Sequence, residues 1–158
     1  MESSHKKLDF NIPVNTEITQ VALLSKIVFA YNLLFDLRGT TTFDFMEHLK
    51  RDTMSESYRM LIINYLVAIT GKGKHDTNSI FYNRPDAKKN KVDNFYTKHD
   101  KLLDRLRVIR NKIYAHFDND YIENASKAGA SIQFEEIKPC IEDLMSIVGY
   151  NAPVELKG

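Results

Sequence analysis

The chain has 158 residues, 43% of them hydrophobic and 27% charged, with a net charge of +1. That is enough for one core of four or five helices, and the balance of apolar and charged residues excludes a largely disordered or fibrous chain. Its single cysteine, Cys140, excludes an internal disulfide framework and a cysteine zinc site, and a small buried hydrophobe is the ordinary role for such a residue.

The longest apolar stretch, Met60 to Ile69 around Asn64, falls short of the roughly 20 residues a membrane span requires. The opening MESSHKKLDF has no apolar core after its lysines, unlike a signal peptide. A cytoplasmic protein without a membrane partner is expected. Charge is unevenly spread: between Lys72 and Lys112 stand twelve Lys or Arg and five Asp or Glu, a local +7 against −6 elsewhere. Such a region suits a polyanion, because Lys and Arg contacts to phosphates release counterions, and it equally describes a solvated loop.

From Glu17 to Phe35 the residues Val21, Leu24, Val28, Tyr31 and Phe35 recur at helical steps, with Ile27 and Leu34 widening the face. Asn15 or Thr16 can cap this helix, and Gly39 suits its left-handed end. A short helix is expected over Phe43 to Arg51, started by Thr42 with Asp44 in its first turn. Thr53 and Glu56 have capping-box spacing ahead of Tyr58, Leu61, Ile62, Tyr65, Leu66 and Ile69, which predicts a second long helix stopping at Gly71.

Residues 71 to 97 lack sustained periodicity, although Phe81, Tyr82, Phe95 and Tyr96 are expected to tuck against the core and a short helix is expected after Pro85. Thr97 or Asp100 can open a third long helix with Leu102, Leu106, Ile109, Ile113 and Phe117 as its stripe. A final helix carries Ile137, Ile141, Leu144, Met145 and Val148 and ends at Gly149, with Pro139 in its first turn or kinking it. The tail from Tyr150 to Gly158 has no helical face, and mobility is expected for it. These elements predict an all-α protein: one antiparallel bundle of four to five helices spanning residues 1–158.

Several chemistries find no support. His5, His48, His75 and His99 have no ligand-like spacing, HExxH is absent, and neither a metal nor another cofactor is expected. GKGK, from Gly71 to Lys74, lacks the glycine spacing and strand of a phosphate loop and reads as a helix stop with exposed lysines. No GxSxG elbow appears. Nor do two short helices with a tight turn end in a basic recognition face, which weakens a helix-turn-helix reading.

What remains is RNKIYAH, Arg110 to His116, over the last two turns of the third helix. At roughly 100° per residue Arg110 and His116 flank the apolar stripe about 120° apart, so both can reach a cleft formed where a second copy of the helix docks. RNA contains its own nucleophile, the 2′-hydroxyl. A histidine near its ordinary pKa can move protons at neutral pH, and an arginine fork can stabilise charge on the phosphoryl oxygens. The same residues also fit a solvated helix end, where the macrodipole alone favours a histidine.

Arg110 and His116, separated by five residues of which Asn111 is the first, resemble the ribonuclease motif of the HEPN superfamily. The stretch LRVIRNKIYAHFD, residues 106 to 118, is similar to the branch containing AbiU-type abortive-infection proteins. The order of helices is similar as well. This resemblance implies a bundle that dimerises through the motif helix, with Arg110 on the scissile phosphate, Asn111 positioning groups in the cleft and His116 as the acid–base residue. Active members are metal-independent endoribonucleases leaving a 2′,3′-cyclic phosphate. Tyr114 and Asp118 are supporting neighbours, and Lys72, Lys74, Lys88, Lys89, Arg107 and Lys112 are candidate RNA contacts.

One departure stands out. In the branch paired with nucleotidyltransferase antitoxins a tyrosine lies two places after the histidine, where this chain has Asp118, and neither Tyr114 nor Tyr121 has that spacing. Asp118 can orient His116 or cap the following turn. The resemblance therefore implies a homodimeric ribonuclease of a phage-defence or toxin–antitoxin system, with RNA as substrate and an antitoxin protein as candidate partner. The alternative is a catalytically silent HEPN module that binds RNA, a nucleotide or a protein through the same cleft.

Overall fold

The computed structural model describes residues 16–39, 41–115, 132–151 and 154–158. These contain four α-helices: α1 (Thr16–Leu37), α2 (Phe45–Thr70), α3 (Lys89–Ala115) and α4 (Phe134–Val148), with a 3-10 turn at Asp86–Lys88. No strand occurs among the described residues, and the all-α expectation holds.

The core follows from helical spacing. Leu24, Ile27, Val28, Tyr31 and Leu34 of α1 bury against Ile62, Ile63, Leu66 and Ile69 of α2, Leu102, Leu103, Leu106 and Ile109 of α3, and Ile137, Cys140, Ile141 and Leu144 of α4. In α1, Ile27 and Leu34 are central to the stripe, whereas Val21 lies outside it and is exposed. In α2, Leu61 is exposed and the inward positions are Ile63 and Val67. Residues Thr19 to Leu37 of α1, with a mean hydropathy of 1.4, are long and apolar enough to cross a membrane by length and composition, although polar residues interrupt the apolar ones. Within the bundle this helix packs on both α2 and α4.

Three boundaries depart from the sequence reading. The short helix and the second long helix are one element, because Asp44 supplies the cap: its Oδ1 accepts from the N–H groups of Met46 (2.8 Å) and Glu47 (3.1 Å). Thr53 does not cap. Its hydroxyl donates back to the Leu49 carbonyl at 2.9 Å, and Ser57 does the same to Thr53, which is how these residues are accommodated inside a helix.

The third helix starts at Lys89 rather than Thr97 or Asp100. Pro85 and the 3-10 turn lead directly into it, and Thr97 bonds back to the Asp93 carbonyl within its first half. The preceding segment is tied down by the amide of Gln20, which donates to the carbonyls of Asn78 and Asn83 at 3.1 Å each, and by Ile80, whose N–H pairs with the Ile69 carbonyl. Phe95 and Tyr96 are buried and Phe81 is half-buried, as expected, but Tyr82 is half-exposed with its hydroxyl on the Lys72 carbonyl.

The last correction concerns the tail. Asn32, buried on α1, donates to the Glu155 carbonyl and accepts from the Lys157 N–H at 2.9 Å each, while Leu156 packs on the core. A side-chain amide presents the same donor and acceptor pair as a backbone peptide, so residues 154–158 are held as an added strand would be. In α4, Pro139 sits inside the helix, and Gly149 ends it in the left-handed region at φ +74° with its N–H on the Met145 carbonyl.

Candidate functional site

The third helix carries the motif, and its partners change along its length. At the start, the Lys88 ammonium donates to the Ile147 carbonyl at 2.6 Å, against the last turn of α4 where the helix dipole favours a cation. Nearly three turns further along, on the buried face, lies a constellation that the sequence reading passed over. His99, 6% exposed, places Nε2 2.7 Å from Asp143 Oδ2, and Lys98 Nζ reaches the same oxygen at 2.7 Å. A carboxylate only accepts, so His99 Nε2 carries the proton. Burial pushes the Asp143 carboxyl up, but the hydrogen bonds and charges of Lys98 and His99 outweigh it and hold the group below the ordinary carboxylate range. The two residues are 44 apart in the chain, which is why spacing alone did not join them.

Further along, Arg105 places one guanidinium nitrogen 2.6 Å from both oxygens of Glu136, and Arg107 pairs with Asp104 at 2.6 Å. Arg110 differs. It is half-buried, directly after the buried Ile109, and among the described residues it makes no ion pair or hydrogen bond. Asn111 beside it is exposed. The helix continues to Ala115, so the backbone of Lys112 and Tyr114 is helical, but their side chains are outside the described residues. His116, Asp118, Tyr121 and Phe117 also lie outside the described residues.

The candidate RNA contacts separate into two groups. Lys74 and Lys89 are exposed and, among the described residues, without a partner, whereas Lys72 lies 4.4 Å from the Tyr96 ring centre, Lys88 is held by Ile147, and Arg107 by Asp104. At 1.5 Å per residue, Lys89 and Arg110 stand about 32 Å apart along α3. A basic region compact in sequence is thus drawn out along one helix. Around Lys88, Tyr82 and Arg84 line a polar cavity of about 540 Å³, where Arg84 pairs with Asp93 at 3.1 Å.

Among the described residues no group of three or more His, Cys, Asp or Glu is placed to hold a metal ion. Cys140 is fully buried, and burial pushes its thiol up to about 12, so it is an inert packing group at neutral pH.

Residues 82–150 match the model of the HEPN AbiU2 family, described as AbiU2. This segment, which runs from the 3-10 turn through α3 and α4, therefore belongs to the HEPN superfamily on its AbiU-like branch. No curated protein and no solved structure matches the chain.

Proposed function

We propose that this chain is a metal-independent endoribonuclease of a phage-defence or toxin–antitoxin system, acting through Arg110 and His116 at a cleft between two copies of α3. One observation carries the reading: of the three arginines on the second half of α3, Arg105 and Arg107 are committed to carboxylates, while Arg110, in the segment that matches the HEPN AbiU2 model, has no partner among the described residues. A half-buried guanidinium beside an exposed amide is a suitable receptor for a phosphodiester.

In the reaction the 2′-hydroxyl loses its proton to a histidine and its oxygen attacks the adjacent phosphorus. The bond from phosphorus to the 5′-oxygen breaks, and a second histidine protonates that oxygen. A 2′,3′-cyclic phosphate and a free 5′-hydroxyl result. Two copies of the helix supply two histidines for base and acid and two arginines for the charge on the phosphoryl oxygens.

The test is incubation of the purified chain with total RNA in EDTA, beside His116→Ala and Arg110→Ala. Cleavage by the wild type, with cyclic phosphate ends, and loss in both variants is the expected result. Equal cleavage by all three rules the site out, and RNA binding without cleavage makes the chain a binding module.

A further inference from the structure

Away from α3, a cavity of about 270 Å³ opens between α1, α2 and the N-terminus of α4. Its floor is apolar, from Leu34, Ile62, Ile63 and the edge-on pair Tyr31 and Phe134, whose ring centres are 5.4 Å apart. Its rim carries Arg38, Arg59 and Glu135.

We infer that this cavity binds a small ligand in which a singly charged oxyanion is joined to a flat apolar ring. Tyr31 is the most informative residue. It is 1% exposed, it lines the cavity, and among the described residues its hydroxyl makes no hydrogen bond. A phenol hydroxyl on a cavity wall can donate to a ligand acceptor placed in that cavity. Burial pushes the phenol up, so it keeps its proton and donates.

Two further sources of positive character meet there. Arg59, half-buried, has no ion pair or hydrogen bond among the described residues. Arg38 lies over the Phe134 ring at 5.2 Å and 3.5 Å from Glu135, an exposed and loosely held pair from which it can turn toward a ligand. Among the lining residues two guanidinium groups stand against one carboxylate, an excess of one positive charge that a carboxylate or a phosphodiester balances and a dianion exceeds, while Glu142 nearby adds a negative field at the Tyr31 hydroxyl. The apolar floor takes the ring, as in most small-molecule sites.

Titration calorimetry on the full chain with phenylacetate tests this, with acetate supplying the anion alone and benzyl alcohol the ring alone. Phenylacetate is expected to bind one to one and saturably, at least tenfold tighter than either control. Tyr31→Phe and Arg59→Met should each weaken it about fivefold or more while leaving the melting temperature unchanged. The dinucleotide UpU separates two sources of the same chemistry: tighter binding than phenylacetate assigns the site to an RNA strand, and weaker binding to a free small acid. Absence of saturable phenylacetate binding, acetate binding as tightly, or affinity unchanged in both variants overturns the inference. RNA cleavage is not needed for any of these outcomes, so the site stands or falls apart from the ribonuclease reading.

Discussion

The two ends of α3 are built from the same residue types and arranged in opposite ways. In its first half Lys98 and His99, and Lys88 at the turn before it, are spent on α4, through Asp143 and the Ile147 carbonyl. Near its other end Arg110 and Asn111 follow the buried Ile109, and Arg110 is committed to nothing among the described residues. A side chain that stabilises the fold already has its partner. One that is ordered on a packed helix and lacks a partner is free to meet a ligand.

The largest effect expected from this contrast is in Arg110→Ala. If the guanidinium holds the phosphoryl charge, RNA cleavage should fall about 10²- to 10³-fold. Stability in urea should stay within about 0.5 kcal/mol of wild type, because no ion pair or hydrogen bond among the described residues is lost. Arg105→Ala should behave the other way, with a small loss of stability and unchanged cleavage per folded molecule, since its Glu136 pair is half-exposed and joins α3 to α4. Identical cleavage profiles for the two variants would remove the distinction between the ends.

Next in size is Asp143→Ala, which leaves His99 buried without its acceptor. A loss of about 1–3 kcal/mol is expected, measured by urea denaturation at pH 7. Cleavage by the fraction that remains folded should be unaltered. A change below about 0.5 kcal/mol would show that His99 finds another partner and that this part of the helix does not depend on the cluster.

The pH dependence of the same group is smaller and has a definite sign. The Asp143 carboxyl is lower in the folded chain than its ordinary value of 3.8, so its contribution is fully present above about pH 4 and is lost as pH falls through the depressed value. The stability difference between wild type and Asp143→Asn that is present at pH 5 should therefore shrink below about pH 4. A difference that instead grows on acidification would contradict the placement of Lys98 and His99 around one oxygen.

The same contrast marks what could be read in the sequence. Helical periodicity located α1 and α4 well, and Gly39 and Gly149 have the positive φ expected of helix ends. The Arg110 to His116 spacing was legible because it is read within seven consecutive residues of the sequence. Asp143 and His99 were not, because their contact is made by packing two helices whose sequences are 44 residues apart. Boundaries failed where side chains had two available uses. Thr53 and Thr97 have the composition of caps but bond back to carbonyls four residues earlier, and Asp44 takes the capping role instead. The tail lacks any apolar pattern and is held by Asn32, a single amide on a distant helix, by Leu156 on the core and by the Lys157–Asp36 ion pair. The cavity with Tyr31 was equally invisible, since tyrosine in an apolar stripe reads as core.

The smallest predicted effect tests the start of α3. Lys88 Nζ lies 2.6 Å from the Ile147 carbonyl, one of the last four carbonyls of α4, which have no partner within the helix. Lys88→Met keeps the length and apolar stem of the side chain and removes the charge, so packing is nearly conserved. The cost should be about 0.5–1 kcal/mol, the usual size of a cation at a helix C-terminus, and it should decline as salt is raised from 0.05 to 0.5 M. Lys88 is also a candidate RNA contact, and here the two roles separate. If it serves the fold alone, RNA affinity measured at fixed salt is unchanged in Lys88→Met; if it also meets a phosphate, affinity falls and the slope of log affinity against log salt becomes shallower by about one unit. The first outcome is expected, because its ammonium is already directed at α4, and the second would show that a committed cation on this helix can still serve a ligand.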